Sequence, residues 1–232
     1  MGDFLLNLHA IINLHTMKNC LFILMIMMTL GISRSVAQFV NDVNGKPVRE
    51  IRYTNINGSP FYDVKYLKGA VRLVGNVKET AAFIQYDQIG DIVLVKNKIN
   101  DDPIEIIDKL AEFRLELANG DTVVFKSLPS LEGYYEVLYN GPTSFYKRTK
   151  KKITDVQVYN SASIEKSVNS STTYHLLTKN KQIVQIKLDK KDFLSVLSDK
   201  AKALSDYISK ERINFKTPTD VSKLLAYYDS LK

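Results

Sequence analysis

The sequence predicts an α+β protein: a predominantly antiparallel β region, built as a meander, sandwich or open barrel, followed by a C-terminal helical hairpin. Three observations carry this expectation. Short apolar runs, several alternating with period two, recur between turn residues over 69–187. After Leu188 the period lengthens to about 3.6 residues, the helical value. Thirteen Tyr and ten Phe, with no Trp, favour strands. Hydrophobic residues at 45% and charged residues at 25% of 232 residues are an ordinary globular balance, enough to bury a sizeable core.

Residues 1–37 read as processing sequence. From Met17, a basic Lys18 precedes an apolar run over 20–32 and the small-residue site Ser35-Val36-Ala37, the order of a secretory signal peptide cleaved before Gln38. Residues 1–16 carry no positive charge, which makes Met17 the expected initiator and 1–16 an upstream extension. The apolar run is too short to span a bilayer comfortably, so a cleaved signal is preferred over an uncleaved anchor, and no transmembrane span is expected in the mature chain. Cleavage removes Cys20, the only cysteine, which excludes a disulfide, thiol chemistry and a lipidated cysteine. It leaves 30 basic against 24 acidic side chains, a net charge of +6. The expected organisation is a signal peptide over 1–37, a β-rich domain over 38–188, and a helical subdomain over 189–232 packed on itself or on the sheet.

The β region opens with a lead-in over 38–68. Residues 49–53 fit a first strand, and Gly58-Ser59-Pro60 a turn. The following Phe61 and Tyr62 could form an exposed binding loop, but burial as a staple of the lead-in onto the core is the preferred reading, because aromatics are more often buried. Strands then follow over 70–74, 80–86, 92–95 and 104–107. Residues 112–117 alternate cleanly, with Phe113, Leu115 and Leu117 on one face and Glu112, Arg114 and Glu116 on the other. Asn119-Gly120 turns this strand into the next, 122–126.

Residues 133–152 form the central hairpin. Asn140-Gly141 suits a two-residue type I′ turn, which places Tyr139 opposite Pro142, Glu136 opposite Phe145, Tyr135 opposite Tyr146 and Tyr134 opposite Lys147. One face then carries Tyr135, Val137, Tyr139 and Tyr146, and the basic run 147–152 ends the second strand. A further strand fits 153–159. The Ser-, Asn- and Thr-rich stretch 160–173 reads as a mobile loop, and strands resume over 174–178 and 182–187 around an Asn180-Lys181 turn.

A short helix over 191–197 leads into a helix marked by Leu197, Ala201, Leu204 and Ile208. Thr217-Pro218-Thr219-Asp220 starts the last helix: Thr217 as cap, Pro218 at the first helical position, and Asp220 where a capping-box acid sits. Val221, Leu224, Leu225, Tyr228 and Leu231 line one stripe. Its opposite face is mixed in charge, so packing in the protein is preferred over lying on a membrane surface.

No catalytic motif is present. The mature chain keeps one histidine, His175, inside an expected strand, where a structural role is the ordinary one. Asp87, Asp91, Asp101 and Asp102 fall at turns, without calcium-loop spacing. There is no His/Cys metal spacing, no Gly-rich phosphate loop and no Gly-x-Ser-x-Gly elbow, so no cofactor is expected. The one stretch with a ligand class in view is Phe145 to Lys152. Tyr146, Lys147, Arg148, Lys150, Lys151 and Lys152 could hold a polyanion by charge and stacking, an anionic glycan or lipid headgroup in preference to nucleic acid. Lysines that guard a strand end from edge pairing are the preferred reading.

A Gly-Ser-Pro-Phe-Tyr lead-in, a Lys-Gly-Ala-Val-Arg-Leu strand, a Tyr-Glu-Val-Leu-Tyr-Asn-Gly hairpin and a closing Leu-Leu-Ala-Tyr-Tyr-Asp-Ser-Leu helix, behind a signal ending in Ala-Gln, together resemble uncharacterised exported proteins common in Bacteroidota. The resemblance implies an envelope location, periplasmic or at the outer membrane or outside it, and brings no activity with it. The expected function is that of a non-enzymatic, β-rich binding or scaffolding module of the cell envelope. Envelope proteins or an anionic glycan or lipid are its expected partners. The alternative is a periplasmic hydrolase acting on glycan or peptide through carboxylates that the fold assembles.

Overall fold

The structure is a computed structural model that describes residues 45–47, 53–157 and 164–231. The expected signal peptide over 1–37, its cleavage site before Gln38 and residues 49–52 of the first expected strand lie outside the described residues. Twelve strands are present among them: β1 (Gly45–Pro47), β2 (Ile56–Asn57), β3 (Leu67–Leu73), β4 (Thr80–Asp87), β5 (Ile92–Lys96), β6 (Ile104–Ile106), β7 (Leu110–Glu116), β8 (Thr122–Ser127), β9 (Tyr134–Tyr139), β10 (Ser144–Gln157), β11 (Ile164–Leu177) and β12 (Ile183–Ile186). Helices α1 (Lys190–Val196), α2 (Ala201–Glu211) and α3 (Pro218–Ser230) follow. The chain is therefore α+β and mostly antiparallel sheet.

Across the sheet the order is β1-β6-β5-β4-β3-β7-β8-β9-β10-β11-β12, with every neighbouring pair antiparallel; β2 adds in parallel to β11. Two meanders, β3 to β6 and β7 to β12, meet along β3 and β7. The sheet curls tightly. Tyr86 of β4 and Tyr134 of β9 stand four strand spacings apart, which in a flat sheet is about 19 Å. Their ring centroids are only 5.8 Å apart. Phe113 and Phe125 stack between the two walls at 4.9 Å, and Tyr86 meets both edge-on at 5.2 and 5.3 Å. Val71, Ile84, Val93, Val95, Leu110 and Leu115 complete this aromatic core. The clean alternation of β7 holds: Phe113 and Leu115 are buried, Arg114 and Glu116 exposed.

An ion pair closes the curl. Arg148 of β10 donates to Asp91 Oδ2 at 2.6 Å, and the Tyr86 hydroxyl donates to Asp91 Oδ1 at 2.7 Å. The guanidinium lies over the Tyr135 ring. Gly133, at φ +77°, leaves its space: a Cβ there would stand 1.9 Å from Arg148 Nη1. Burial raises the Tyr86 hydroxyl pKa first, and the Asp91 charge raises it further, so the phenol stays a donor.

The second core lies between the helices and one face of β9 to β12. Phe145, Leu176 and Ile186 of the sheet pack with Phe193, Leu204, Val221, Leu224 and Leu225 of the helices. Four of the five residues of the α3 stripe are buried as their spacing requires, Val221, Leu224 and Leu225 at 0% exposure and Tyr228 at 6%, while Leu231 is the extended C-cap and only half-buried. Tyr207 of α2 and Tyr227 of α3 stack at 4.0 Å. The helical region packs both on itself and on the sheet. Its caps differ from expectation. Pro218 does open α3, but the Thr217 side chain makes no cap hydrogen bond. Asp220 instead accepts from the Asn214 amide at 3.2 Å and pairs with Lys223 at 3.0 Å, which holds its carboxyl below the usual range. The side-chain cap is on α1, where Asp189 accepts from the Asp192 amide at 2.8 Å.

Two expectations for the central hairpin are corrected. Tyr139 pairs with Phe145, Val137 with Tyr146 and Glu136 with Lys147, with a bulge between Phe145 and Tyr146. The connection therefore spans 140–143 instead of two residues, and Tyr139 joins the helix-side core while Tyr135, Val137 and Tyr146 pack on the other face. The strand also does not end with the lysines. β10 runs to Gln157, so the strand expected over 153–159 is its continuation, and most of the loop expected over 160–173 is β11, paired with β10 from Gln157↔Ile164 to Ser144↔Leu177. Residues 158–163 lie outside the described residues. A polar sequence makes a strand here because cross-strand pairing needs no apolar face: Thr149 and Thr172 hydroxyls meet at 3.4 Å, and Asn169 donates to Thr154.

Candidate functional site

The strands β4 and β5 present two faces. Ile84 and Tyr86 with their neighbours Val95 and Val93 point into the aromatic core, while the pairs Gln85↔Leu94 and Asp87↔Ile92 point the other way. The lead-in covers part of this outer face as a strap. Tyr62 N–H donates to the Tyr86 carbonyl at 2.8 Å and Gln88 N–H to the Pro60 carbonyl at 3.0 Å, which stitches the strap along β4. The aromatic pair then divides. Tyr62 turns inward and meets Phe125 edge-on at 5.2 Å, and Phe61 stays outside, edge-on to Tyr53 at 6.3 Å. Burial, with Glu136 and Asp63 nearby, pushes the Tyr62 hydroxyl up to about 12.

Between strap and strands lies a groove of about 440 Å³. Its floor is Gln85, Asp87, Ile92 and Leu94; its walls are Tyr53, Ile56, Pro60, Phe61, Val64 and Tyr66, with Pro103 at one margin. The lining is chiefly apolar and aromatic, with few polar groups. That is the usual make-up of a small-molecule pocket, and the volume falls within the usual range. Val64 stands on its rim, 68% exposed.

The polar groups of the floor are engaged. Asp87 is 1% exposed and accepts from the Tyr53 hydroxyl at 2.6 Å and from the Ile89 and Gly90 amides at 2.8 and 3.2 Å. Three donors on one buried carboxylate suit a structural anion that keeps turn and strap in place. Gln85 Nε2 donates to the Val64 carbonyl at 2.9 Å and ties down the rim. From beneath the strap, Lys151 of β10 donates to the Ser59 and Phe61 carbonyls at 3.0 and 2.5 Å. Burial lowers its ammonium pKa, with the Asp87 charge acting in the opposite direction.

The six candidate anion-binding residues are thus dispersed. Tyr146 is buried on the Tyr135 side of the sheet, Lys147 pairs with Glu136 at 2.7 Å, Arg148 closes the curl on Asp91, and Lys151 holds the strap. Lys150 and Lys152 are exposed, opposite Ser171 and Asn169. The run does not face solvent as one strip.

His175 is buried beside Tyr135, with ring centroids 5.1 Å apart, and its Nδ1 has no hydrogen-bond partner among the described residues. Burial, then the Arg148 charge, lowers its pKa and keeps it neutral. Among the described residues no three His, Cys, Asp or Glu side chains gather as a metal ion would need, and no helix is long and apolar enough to cross a membrane.

Comparison with family models, curated proteins and solved structures returns no match to this chain. The site rests on its own geometry. Gln85, Ile92, Leu94 and Tyr66 were not visible in the sequence as a group. One signal for them was there: 92–95 is apolar on both faces, which a strand needs only when both faces are covered.

Proposed function

We propose that this chain is an exported, non-enzymatic binding module of the cell envelope, and that the groove under the lead-in strap is where it binds. The groove is the observation that carries the reading: a concave, aromatic-walled surface held by the strap, with a floor whose one carboxylate is saturated by structural donors. A hydrolase needs a positioned base or a carboxylate pair at its cleft. Among the described residues the groove holds one carboxylate, Asp87, and His175 is neutral against Tyr135 on another part of the sheet.

Binding is tested with the neutral fluorophore N-phenyl-1-naphthylamine. The protein should raise its fluorescence saturably, and Phe61→Ala, which removes one wall ring, should weaken that binding several-fold. No saturable binding, or binding indifferent to Phe61, would remove the groove from consideration. Export is tested by amino-terminal sequencing of the cell-envelope fraction. A terminus at Gln38 is expected; an intact Met1 or Met17 in the membrane fraction would overturn it.

A further inference from the structure

The row of side chains that floors the groove runs on, past the groove's lining, to a cation. Ile92, Leu94 and Lys96 alternate onto one face of β5, and the register sets Lys96 opposite Phe83, next along the row after Leu94 opposite Gln85. From Ile92 to Lys96 this row runs about 13 Å at ~3.3 Å per residue. The Lys96 ammonium lies 4.6 Å over the ring of Tyr66, which walls the groove, and donates to the Ile99 carbonyl at 3.3 Å. Among the described residues no carboxylate pairs with it. At the far end of the row Asp87 is saturated, and the Tyr53 hydroxyl that reaches it is spent as a donor. Among the described residues the groove's lining therefore carries one carboxylate, already saturated, and the apolar row that floors it leads to a cation with no carboxylate partner.

Resting on the binding reading above, we infer that the ligand is an unbranched aliphatic carboxylate, its chain along Ile92 and Leu94 and its head at Lys96. Chain burial supplies most of the affinity, since apolar area removed from water is the main favourable term. The head sets direction and selectivity. A carboxylate at Lys96 gains a charge-assisted hydrogen bond, whereas an ammonium head meets like charge, and an alcohol gains only a neutral contact. The aromatic ring beneath the ammonium holds it in place.

The experiment displaces N-phenyl-1-naphthylamine from the full mature chain with three ligands of equal chain length: decanoate, decanol and decyltrimethylammonium. Decanoate should displace at about three- to tenfold lower concentration than decanol, and decyltrimethylammonium should be weakest. Lys96→Gln should abolish the preference for decanoate while leaving decanol unchanged, and Lys96→Glu should reverse the order of the two ions. Lys150→Gln with Lys152→Gln should change nothing. Equal displacement by decanoate and decanol, or a preference that survives Lys96→Gln, overturns the inference while leaving the groove a binding site. A preference lost in the Lys150/Lys152 variant places the anion on the β10–β11 ribbon and overturns it too. Failure of the neutral fluorophore to bind defeats the binding reading itself.

Discussion

Two hairpins in this protein carry the same dipeptide at the tip and use it differently. Between β7 and β8, Gly120 takes φ +87° in open space, with no atom within 4 Å of where its Cβ would stand. The Gly120 amide donates to the Leu117 carbonyl and the Leu117 amide to the Asp121 carbonyl, so the turn is closed by its own backbone. Between β9 and β10, neither Asn140 nor Gly141 has positive φ. Gly141 is there for room: a Cβ would lie 2.5 Å from Tyr139 Oη and 2.7 Å from Asp229 Oδ2. That carboxylate of α3 accepts from Tyr139 Oη at 3.1 Å and from the Thr143 amide at 3.0 Å. The first hairpin is shaped by its own sequence, the second by a helix some ninety residues further along the chain.

The largest effect should come from removing the surface on which the second hairpin rests. Leu224→Ala empties a fully buried site in the helix–sheet core and should cost about 2–5 kcal/mol in denaturant unfolding. A midpoint unchanged by it would show that α3 does not support the sheet.

The comparison itself is sharpened by paired substitutions. Gly141→Ala should cost about 1–3 kcal/mol through overpacking against Tyr139 and Asp229, and Gly141→Asn more, because the larger side chain needs more room. Gly120→Ala should cost about 1–2 kcal/mol through left-handed strain. Gly120→Asn should cost less than Gly120→Ala, since Asn tolerates that conformation. Opposite orders of Ala and Asn at the two positions, read from unfolding midpoints, are the expected result; the same order at both would mean that the two glycines serve one purpose.

The smallest effect concerns pH, and a histidine packed against the second hairpin reports it. His175 faces Tyr146 across β10 and β11, and its folded pKa lies below the ordinary value of 6.5. Above that value both folded and unfolded chains hold it neutral, so it contributes nothing. As pH falls below about 6.5 the unfolded chain takes up a proton that the folded chain resists, so stability declines until the lower, folded pKa is reached. His175→Gln should therefore flatten the loss of thermal midpoint between about pH 7 and about pH 5 relative to the unsubstituted protein. An unaltered slope would mean that the imidazole titrates equally in both states.

What was legible in the sequence was what depends on near neighbours. The alternation of Phe113 and Leu115 against Arg114 and Glu116 set one strand's faces, and the spacing of Val221, Leu224, Leu225 and Tyr228 set one helix's buried stripe, because both follow from backbone geometry within a few residues. Turn chemistry at Asn119-Gly120 was legible for the same reason. The polar β11 was hidden, since its Ser, Thr and Asn residues have no apolar period and are ordered by pairing along β10. The groove was hidden more deeply. Its floor comes from β4 and β5 and its walls from a strap that lies before them in the chain, and the two are joined by backbone hydrogen bonds of Tyr62 and Gln88 and by Gln85, Asp87 and Lys151 binding strap atoms. By itself the sequence determined the antiparallel β-rich region, the closing helices, and the buried faces of the strand at Phe113 and of the last helix. Only the tertiary structure decided which lysines are spent inside, which glycine serves φ and which serves space, and where the apolar trough lies. Those outcomes depend on contacts between residues far apart in the chain, and a local pattern carries no record of them.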